Sequence, residues 1–483
     1  MPEFHVEHFG CRAARADGEA LGARLRAAGL GESGSVAADV VVVNTCSVTA
    51  EADRAARAFI RRTHRLNPEA RIVVTGCYAQ RAPEELAAMA GVAAVVGNSH
   101  KALAPEVVRD LAGQASPAES TASAAPSEFV SLQALLAPGK PGAAPIWADG
   151  HFAHSFIEEA QLVPGEQTRP NLKIQEGCGN RCTFCIIPQT RGSSKSLPAS
   201  RVLRQVEGFV AAGGNELVLS GINLGRWGRD LLPSESSSGP TLAALVRQIF
   251  RQTHLPRMRL SSIEPMDWDT ALIGLLAEFS ATRLARHAHL PLQSGSDTVL
   301  RRMHRRYRPW HYAEKVEALF LAAGPELTLG ADVMVGFPGE TEAEFEETLN
   351  FVRALPFGYL HLFPFSPRPA TRGWALHAEQ PVALRAVDER MAALRALAAE
   401  KSRAHRIRFI GQELEAITLH TPRALADQSR TAALTGNFLP LEIDGRWPAN
   451  QLVRVRIAGL NLGGALQARE VGIAEPSLAG SIQ

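Results

Sequence analysis

Gly177-Cys178-Gly179-Asn180-Arg181-Cys182-Thr183-Phe184-Cys185-Ile186-Ile187-Pro188 puts three thiols into one short loop. Their spacing is C-x3-C-x2-C, and no fourth cysteine follows. Three thiolates do not close a tetrahedral zinc site on their own. They can hold a four-iron four-sulfur cluster by three of its irons and leave the fourth iron without a protein ligand. A ferredoxin, whose cluster only passes electrons, more often brings a fourth cysteine. An open iron is a place for a substrate or cofactor to bind and react.

The flanking sequence reads as repeating strand–helix units. Leu172 to Gln175 is a strand whose carboxyl end delivers the cysteine loop. Ser200 to Ala212 reads as a helix and Glu216 to Ser220 as a strand. Thr241 to Gln252 is a helix and Met258 to Ser262 a strand. His289 to Leu292, Thr328 to Val335 and Tyr359 to Phe363 follow as strands, with a helix over Trp310 to Ala323. About six such units describe a partial (β/α)6 barrel with its functional rim at the carboxyl ends of the strands. Small and polar residues stand at that rim, in Ser220-Gly221-Ile222-Asn223, Ser261-Ser262-Ile263-Glu264, Gln293-Ser294 and Asp332. Thr341 and Glu344 form a capping-box pattern that opens another helix.

Upstream, the chain alternates in the same way. Strands are expected at Phe4 to Phe9, Ala38 to Val43, Arg71 to Thr75 and Val92 to Val96, with helices between them. This argues for a parallel sheet covered on both faces. The other three of the six cysteines, Cys11, Cys46 and Cys77, each follow one of the first three strands. Parallel strands share one carboxyl-terminal rim, so topology brings these distant thiols together. One buried cysteine is usually a small hydrophobe. Three at equivalent positions point to a second three-thiolate cluster.

Composition sets outer bounds. The chain has 483 residues, 46% of them hydrophobic, and a formal net charge of +2. Two to four domains fit this length. The charge balance favours no global nucleic-acid field, so any binding patch is local. No apolar run is long enough to span a membrane. Met1-Pro2-Glu3-Phe4-His5 does not read as a secretory signal. The expected location is cytoplasmic, where thiols stay reduced and serve as ligands rather than disulfides. From Gly113 to Ala148 the sequence turns to Ala, Ser, Pro and Gly, which reads as a linker or inserted loop, with Phe129 to Leu136 able to dock. Two basic stretches are candidates for phosphate contact, Arg301 to Arg308 and the helix from Arg385 to Arg408. Glu413 to Thr418, Phe438 to Ile443 and Gln451 to Ile457 read as strands of a small β-barrel. The stretch after Ala474 reads as a disordered tail.

These residues carry a family resemblance. The C-x3-C-x2-C loop with Phe184 before its last cysteine resembles the signature of radical S-adenosylmethionine (SAM) enzymes. Asn44-Thr45-Cys46-Ser47-Val48-Thr49 and Val74-Thr75-Gly76-Cys77-Tyr78-Ala79-Gln80 resemble the N-terminal domain of methylthiotransferases, most of all the branch that modifies N6-threonylcarbamoyladenosine in tRNA. Gly411-Gln412-Glu413-Leu414 and Thr435-Gly436-Asn437-Phe438 resemble the RNA-binding TRAM domain. Two departures stand out. Arg12-Ala13-Ala14-Arg15-Ala16 follows Cys11 where the family usually has Lys-x-Asn-Gln-Tyr, and Ala370 replaces the glycine of the family's Ser-x-Arg-x-Gly-Thr.

The resemblance implies a domain order of 1–112 for the N-terminal cluster domain, 113–163 for a linker or insert, 164–400 for the radical SAM core, 401–472 for a TRAM-like barrel and 473–483 for the tail. It implies two [4Fe-4S] clusters, one on Cys178, Cys182 and Cys185 and one on Cys11, Cys46 and Cys77. It implies SAM bound near Phe184, Ser220, Gly221, Asn223, Ser262, Gln293, Ser294 and Asp332. The expected substrate is the adenosine 3′ of a tRNA anticodon, whose unpaired loop can be splayed out. A radical from one SAM would remove hydrogen from ring carbon 2, the N-terminal cluster would deliver sulfur, and a second SAM would supply the methyl group. A reducing electron donor and a sulfur source are required. The competing expectations are a methylthiotransferase for isopentenyladenosine, one for a ribosomal-protein aspartate, or a non-catalytic metal-binding RNA-binding protein.

Overall fold

The computed structural model describes residues 1–10, 12–113, 143–152, 156–157, 162, 169–231, 239–461 and 463–473. Cys11, the Phe129 to Leu136 stretch and the tail after Ala474 therefore lie outside the described residues.

The N-terminal strands are β1 (Glu3–His8), β2 (Gly31–Glu32), β3 (Val40–Thr45), β4 (Arg71–Gly76), β5 (Val92–Gly97) and β6 (Ile146–Trp147). They form a parallel sheet in the order β2-β1-β3-β4-β5-β6. The valine run Val40 to Val43 explains why β3 is central. Val41 and Val43 enter the core on one face, and Val40 and Val42 enter the core on the other. A strand buried on both faces needs no alternation of polarity. Thr49 caps the helix Ala50–Leu66 by accepting a hydrogen bond from the Ala52 amide (3.3 Å). The short edge strands β2 and β6 are additions to the expected four, each too brief to leave a sequence pattern. β6 also shows that the chain after the Ala/Ser/Pro/Gly segment returns to the first domain.

The middle domain contains β7 (Asn171–Glu176), β8 (Lys195–Ser196), β9 (Glu216–Gly221), β10 (Arg257–Leu260), β11 (His287–His289), β12 (Thr328–Val335) and β13 (Phe357–Pro364). β10-β9-β7-β8 form one sheet and β11-β12-β13 another, with a parallel bridge from Met258 to Leu284 linking them. Apart from β8, which is antiparallel, the paired strands run parallel. This is the expected partial barrel. Leu217, Leu219, Met258, Leu260, Leu329, Ala331 and Val333 face the covering helices and build the largest core. Residues 216, 218, 220, 257, 259, 287, 289, 330, 332, 359 and 361 stand on the opposite face, which lines the lumen.

The final strands are β14 (Glu413–Thr418), β15 (Arg430–Thr435), β16 (Pro440–Asp444), β17 (Leu452–Leu460) and β18 (Leu466–Ile473). They close into a barrel in the order β14-β15-β16-β18-β17. The helix Leu384–Ile407 joins it to the middle domain and crosses the expected boundary at residue 400.

The small barrel also stops the partial barrel from below. Arg259 donates to the Thr435 carbonyl (3.1 Å), and Arg257 pairs with Glu415 (2.8 Å). Phe438 packs its ring on His287 and Tyr359 with centroid separations of 4.3 and 5.3 Å.

Candidate active site: two cysteine rims and a polar lumen

The cysteine loop begins where β7 ends. Gly177 has φ +69°, and a Cβ there would collide with the Ser193 carbonyl, so only glycine fits this turn. The Cys178 amide donates to the Gly192 carbonyl (3.1 Å) and the Cys185 amide to the Cys182 carbonyl (3.2 Å), which curls the loop around its thiols. The three thiols line one cavity of about 450 Å³ together with Pro188, Gln189, Ala370 and Thr371. Burial pushes the Cys185 thiol up to about 12 and raises that of Cys178. A bound metal must displace those protons.

Polar groups converge on the same thiols. Asn180 donates its amide to Cys178 Sγ (3.4 Å), and Asn223 Nδ2 approaches the same sulfur (3.7 Å). Arg305 donates Nη1 to Cys182 Sγ (3.2 Å) while both oxygens of Glu264 hold its Nη2 (2.8 and 2.7 Å). Burial opposes the charge of Arg305, but Tyr307, Glu264 and Cys182 outweigh it and keep the guanidinium protonated.

The rim above the lumen fits a polar cofactor. Ser220 Oγ, Ser261 Oγ, Asn223 Oδ1 and Gln293 Oε1 are buried without a hydrogen-bond partner among the described residues. Buried polar atoms without a partner are uncommon and need an explanation such as a bound ligand. Gln293 is held at φ +66°, the kind of strain that collects at functional sites. Gly221 is packed so close to Gln175 that a side chain would clash. Phe184 packs on the core, and Ser262 is half-buried. Ser294 instead turns outward, its hydroxyl 2.9 Å from Thr348 on a covering helix. Asp332 lies deeper in the lumen, bonded to His289 and His361.

At the first sheet's rim, Thr45 and Gly76 are paired neighbours, so Cys46 and Cys77 leave adjacent strands side by side. Both cysteines are buried. Gly10, at the end of β1, lies so near Cys46 that a Cβ there would meet its sulfur. β1, β3 and β4 thus deliver their carboxyl ends to one place, as expected, with Cys11 itself outside the described residues.

The two rims meet across the domain boundary. Arg191, at the end of the short helix after the cysteine loop, donates Nε to Cys77 Sγ (3.2 Å). Its Nη1 reaches Asp17 (2.9 Å) in the first domain and Glu176 (2.7 Å) in β7. Lys101 and Lys173 contact the same two carboxylates. Burial alone would raise both acids; the three cations override it and hold Asp17 and Glu176 below the carboxylate range. Three cations against two carboxylates leave one positive charge, and it faces the Cys77 thiol. Asn98 adds a hydrogen bond to that sulfur (3.4 Å) and another to the Thr190 carbonyl (2.8 Å).

Sequence reading passed over Asp17, Arg191, Arg305 as a thiol partner, and the lumen histidines. Only Arg305 left a signal, inside the arginine run. That run is no bare phosphate surface. Arg301 and Arg308 face Asp297, Arg302 faces Glu344, Arg305 faces Glu264 and Arg306 faces Asp267. In the long helix, Arg390 is likewise buried on Glu340 and reaches Glu342.

Comparison with known proteins agrees with this geometry. Residues 3–97 match the "Uncharacterized protein family UPF0004", and residues 172–352 match the "Radical SAM superfamily". The threonylcarbamoyladenosine tRNA methylthiotransferase of Bacillus subtilis is 33% identical over 94% of this chain and 93% of its own length. The chain belongs to the radical SAM methylthiotransferase family. The Aquifex aeolicus methylthiotransferase of the same description is 33% identical over 87% of this chain and 91% of its own length. The tRNA-2-methylthio-N(6)-dimethylallyladenosine synthase of Sorangium cellulosum is 34% identical over 82% of this chain and 77% of its own length. Among solved structures, the radical SAM methyltransferase TsrM from Kitasatospora setae, with cobalamin and a [4Fe-4S] cluster bound, superposes with TM-score 0.54 at 14% identity over 75% of each chain. At that identity the likeness speaks for the fold alone. As a radical SAM methylthiotransferase, the chain uses SAM and an iron–sulfur cluster, and the open C-x3-C-x2-C loop is the site suited to them.

Proposed function

We propose that this methylthiotransferase acts on tRNA and converts N6-threonylcarbamoyladenosine, 3′ of the anticodon, to its 2-methylthio derivative. The observation that carries the reading is likeness over nearly the full length to relatives described by that activity. Cys178, Cys182 and Cys185 would hold the first cluster, and Cys46 and Cys77 with Cys11 a second. When bound, the first cluster with SAM supplies a radical able to take hydrogen from an aromatic carbon, a step beyond acid–base chemistry, and the second supplies the sulfur.

The chain's own residues do the rest. Asn180 and Arg305 stabilise anionic sulfur at the first rim, and Arg191 and Asn98 do so at the second, by charge-assisted hydrogen bonds. Ser220, Gly221, Asn223, Ser262 and Gln293 are the candidates to bind SAM, with Phe184 packed behind the cluster loop. A low-potential one-electron reductant and a sulfur source are needed as partners. No helix among the described residues is long and apolar enough to cross a membrane. Reduced thiols fit a cytoplasmic setting.

Two measurements test this. Mass spectrometry of tRNA nucleosides from a deletion strain should show loss of the methylthio group from threonylcarbamoyladenosine. Persistence of that group with loss of the isopentenyl counterpart overturns the substrate. Anaerobic reconstitution should give about eight irons per chain, falling by half when Cys178, Cys182 and Cys185 become alanine. Four irons in the unsubstituted protein would overturn the second cluster.

A further inference from the structure

One layer above the Phe438 stopper, the lumen carries a group that no step above uses. His289 on β11, Asp332 on β12 and His361 on β13 stand side by side, since Asp332 and His361 are register partners and His289 pairs with neighbouring Gly330. Asp332 Oδ1 lies 3.2 Å from His289 Nε2 and 3.3 Å from His361 Nδ1. The other nitrogen of His289 is fixed by the Tyr359 hydroxyl (2.9 Å), which also meets His287 (2.9 Å). Burial works against the charge of Asp332, but hydrogen bonds from the two histidines prevail and keep it ionised. The His361 side chain remains 60% exposed although it stands on the lumen face, so the lumen is open to a ligand here. His361 Nε2 makes no hydrogen bond among the described residues.

A lumen wall of this kind suits a polar guest. An ionised carboxylate against a five-carbon alkenyl group would lose hydration without return. A threonylcarbamoyl group offers urea N–H donors for Asp332. It also offers a hydroxyl that can donate to His361 Nε2, the bare acceptor nitrogen once Nδ1–H is turned to Asp332. We propose that His289, Asp332 and His361 form the pocket that receives the threonylcarbamoyl substituent while the adenine ring lies at the cysteine rim. This rests on the tRNA reading above and adds the residues that choose between polar and apolar substituents. A site that hydrogen-bonds a substrate group discriminates strongly against an analogue lacking it.

The test is binding, by fluorescence anisotropy, of the reconstituted full-length protein to anticodon stem-loops. These carry threonylcarbamoyladenosine, isopentenyladenosine or plain adenosine at the target position. The unsubstituted protein should prefer the threonylcarbamoyl form by at least tenfold, on the order expected for two lost hydrogen bonds. His361→Leu and Asp332→Asn should erase most of that preference while changing affinity for the plain adenosine stem-loop less than twofold. His361→Gln, which keeps a hydrogen-bond acceptor at an exposed position and spares the fold, should retain part of it. If the unsubstituted protein shows no preference for the threonylcarbamoyl form, the substrate reading and the pocket fall together. If it shows the preference and the variants keep it, only the pocket falls. Equal losses for every stem-loop would mean a structural role. Metal analysis that finds one zinc or manganese per chain, lost in both variants, would mean a cation site instead. Either result overturns the proposal.

Discussion

Ala370 is a residue whose sequence and backbone disagree. It sits at φ +63°, where the family places glycine, and its carbonyl accepts a hydrogen bond from Gln189 (2.7 Å) beside the cluster cavity. A left-handed alanine costs about 1 kcal/mol, partly offset because glycine would loosen the unfolded chain. Ala370→Gly should therefore stabilise the protein by about 0.5 kcal/mol, read as a higher denaturation midpoint at unchanged slope. The departure was visible in the sequence; that the turn nevertheless keeps the glycine conformation was not. Arg305 teaches the reverse lesson. One-dimensional reading groups it with four other arginines as a phosphate patch, whereas folding buries it against Cys182 and Glu264.

At the scale of elements, the helix Leu384–Ile407 bolts the two barrels together. Met391, Leu394 and Leu397 enter the large core, and His405 near its end bonds Thr328 Oγ1 (2.8 Å) and edges onto Phe409. Burial lowers the His405 pKa to about 4. Between the ordinary histidine value and about 4, the unfolded chain therefore takes up a proton that the folded chain refuses. Stability should fall as pH drops through that window, by up to about 3 kcal/mol. His405→Gln should flatten this part of the pH–stability curve, as followed by urea titrations from pH 7 to pH 4. The Phe438 stopper belongs to the same joint. Phe438→Ala should cost about 2 kcal/mol and separate a C-terminal transition from the main unfolding in calorimetry. The helix was legible from its spacing. Its role as a joint was not, because apolar periodicity tells which face is buried but not against what.

Across the whole molecule, the first two domains are held by charge rather than by apolar area alone. Asp17, Lys101, Lys173, Glu176 and Arg191 form one buried cluster, and a second joint runs from Asp53 to Arg81 and Arg368 (2.9 and 2.6 Å). Breaking a buried ion cluster one partner at a time is costly, about 3 kcal/mol or more, because a charge is stranded. The arithmetic separates two variants. Arg191→Met leaves two cations and two carboxylates, whereas Asp17→Asn leaves three cations and one carboxylate. Asp17→Asn should destabilise more, measured by chemical denaturation with the metal absent. Arg191→Met should in addition lower the midpoint potential of the proposed second cluster at Cys77, followed by EPR-monitored redox titration, since the cation facing that sulfur is gone. Equal effects of the two substitutions on stability would mean that the charges are solvated after all.

The sequence alone determined the three-thiol loop, the strand–helix alternation and the placing of Cys46 and Cys77 at strand ends, because hydrophobic period and motif spacing are local properties. β2 and β6 were illegible because two residues carry no period, and β15 and β18 were passed over between the recognised strands of the small barrel. Only the tertiary structure decided which charges meet. Asp17 and Arg191 are 174 positions apart, and His289, Asp332 and His361 sit on three different strands. Such pairs are brought together by β-sheet register and domain docking, and no local pattern records them, since a charged residue looks the same in sequence whether it faces water or a buried partner.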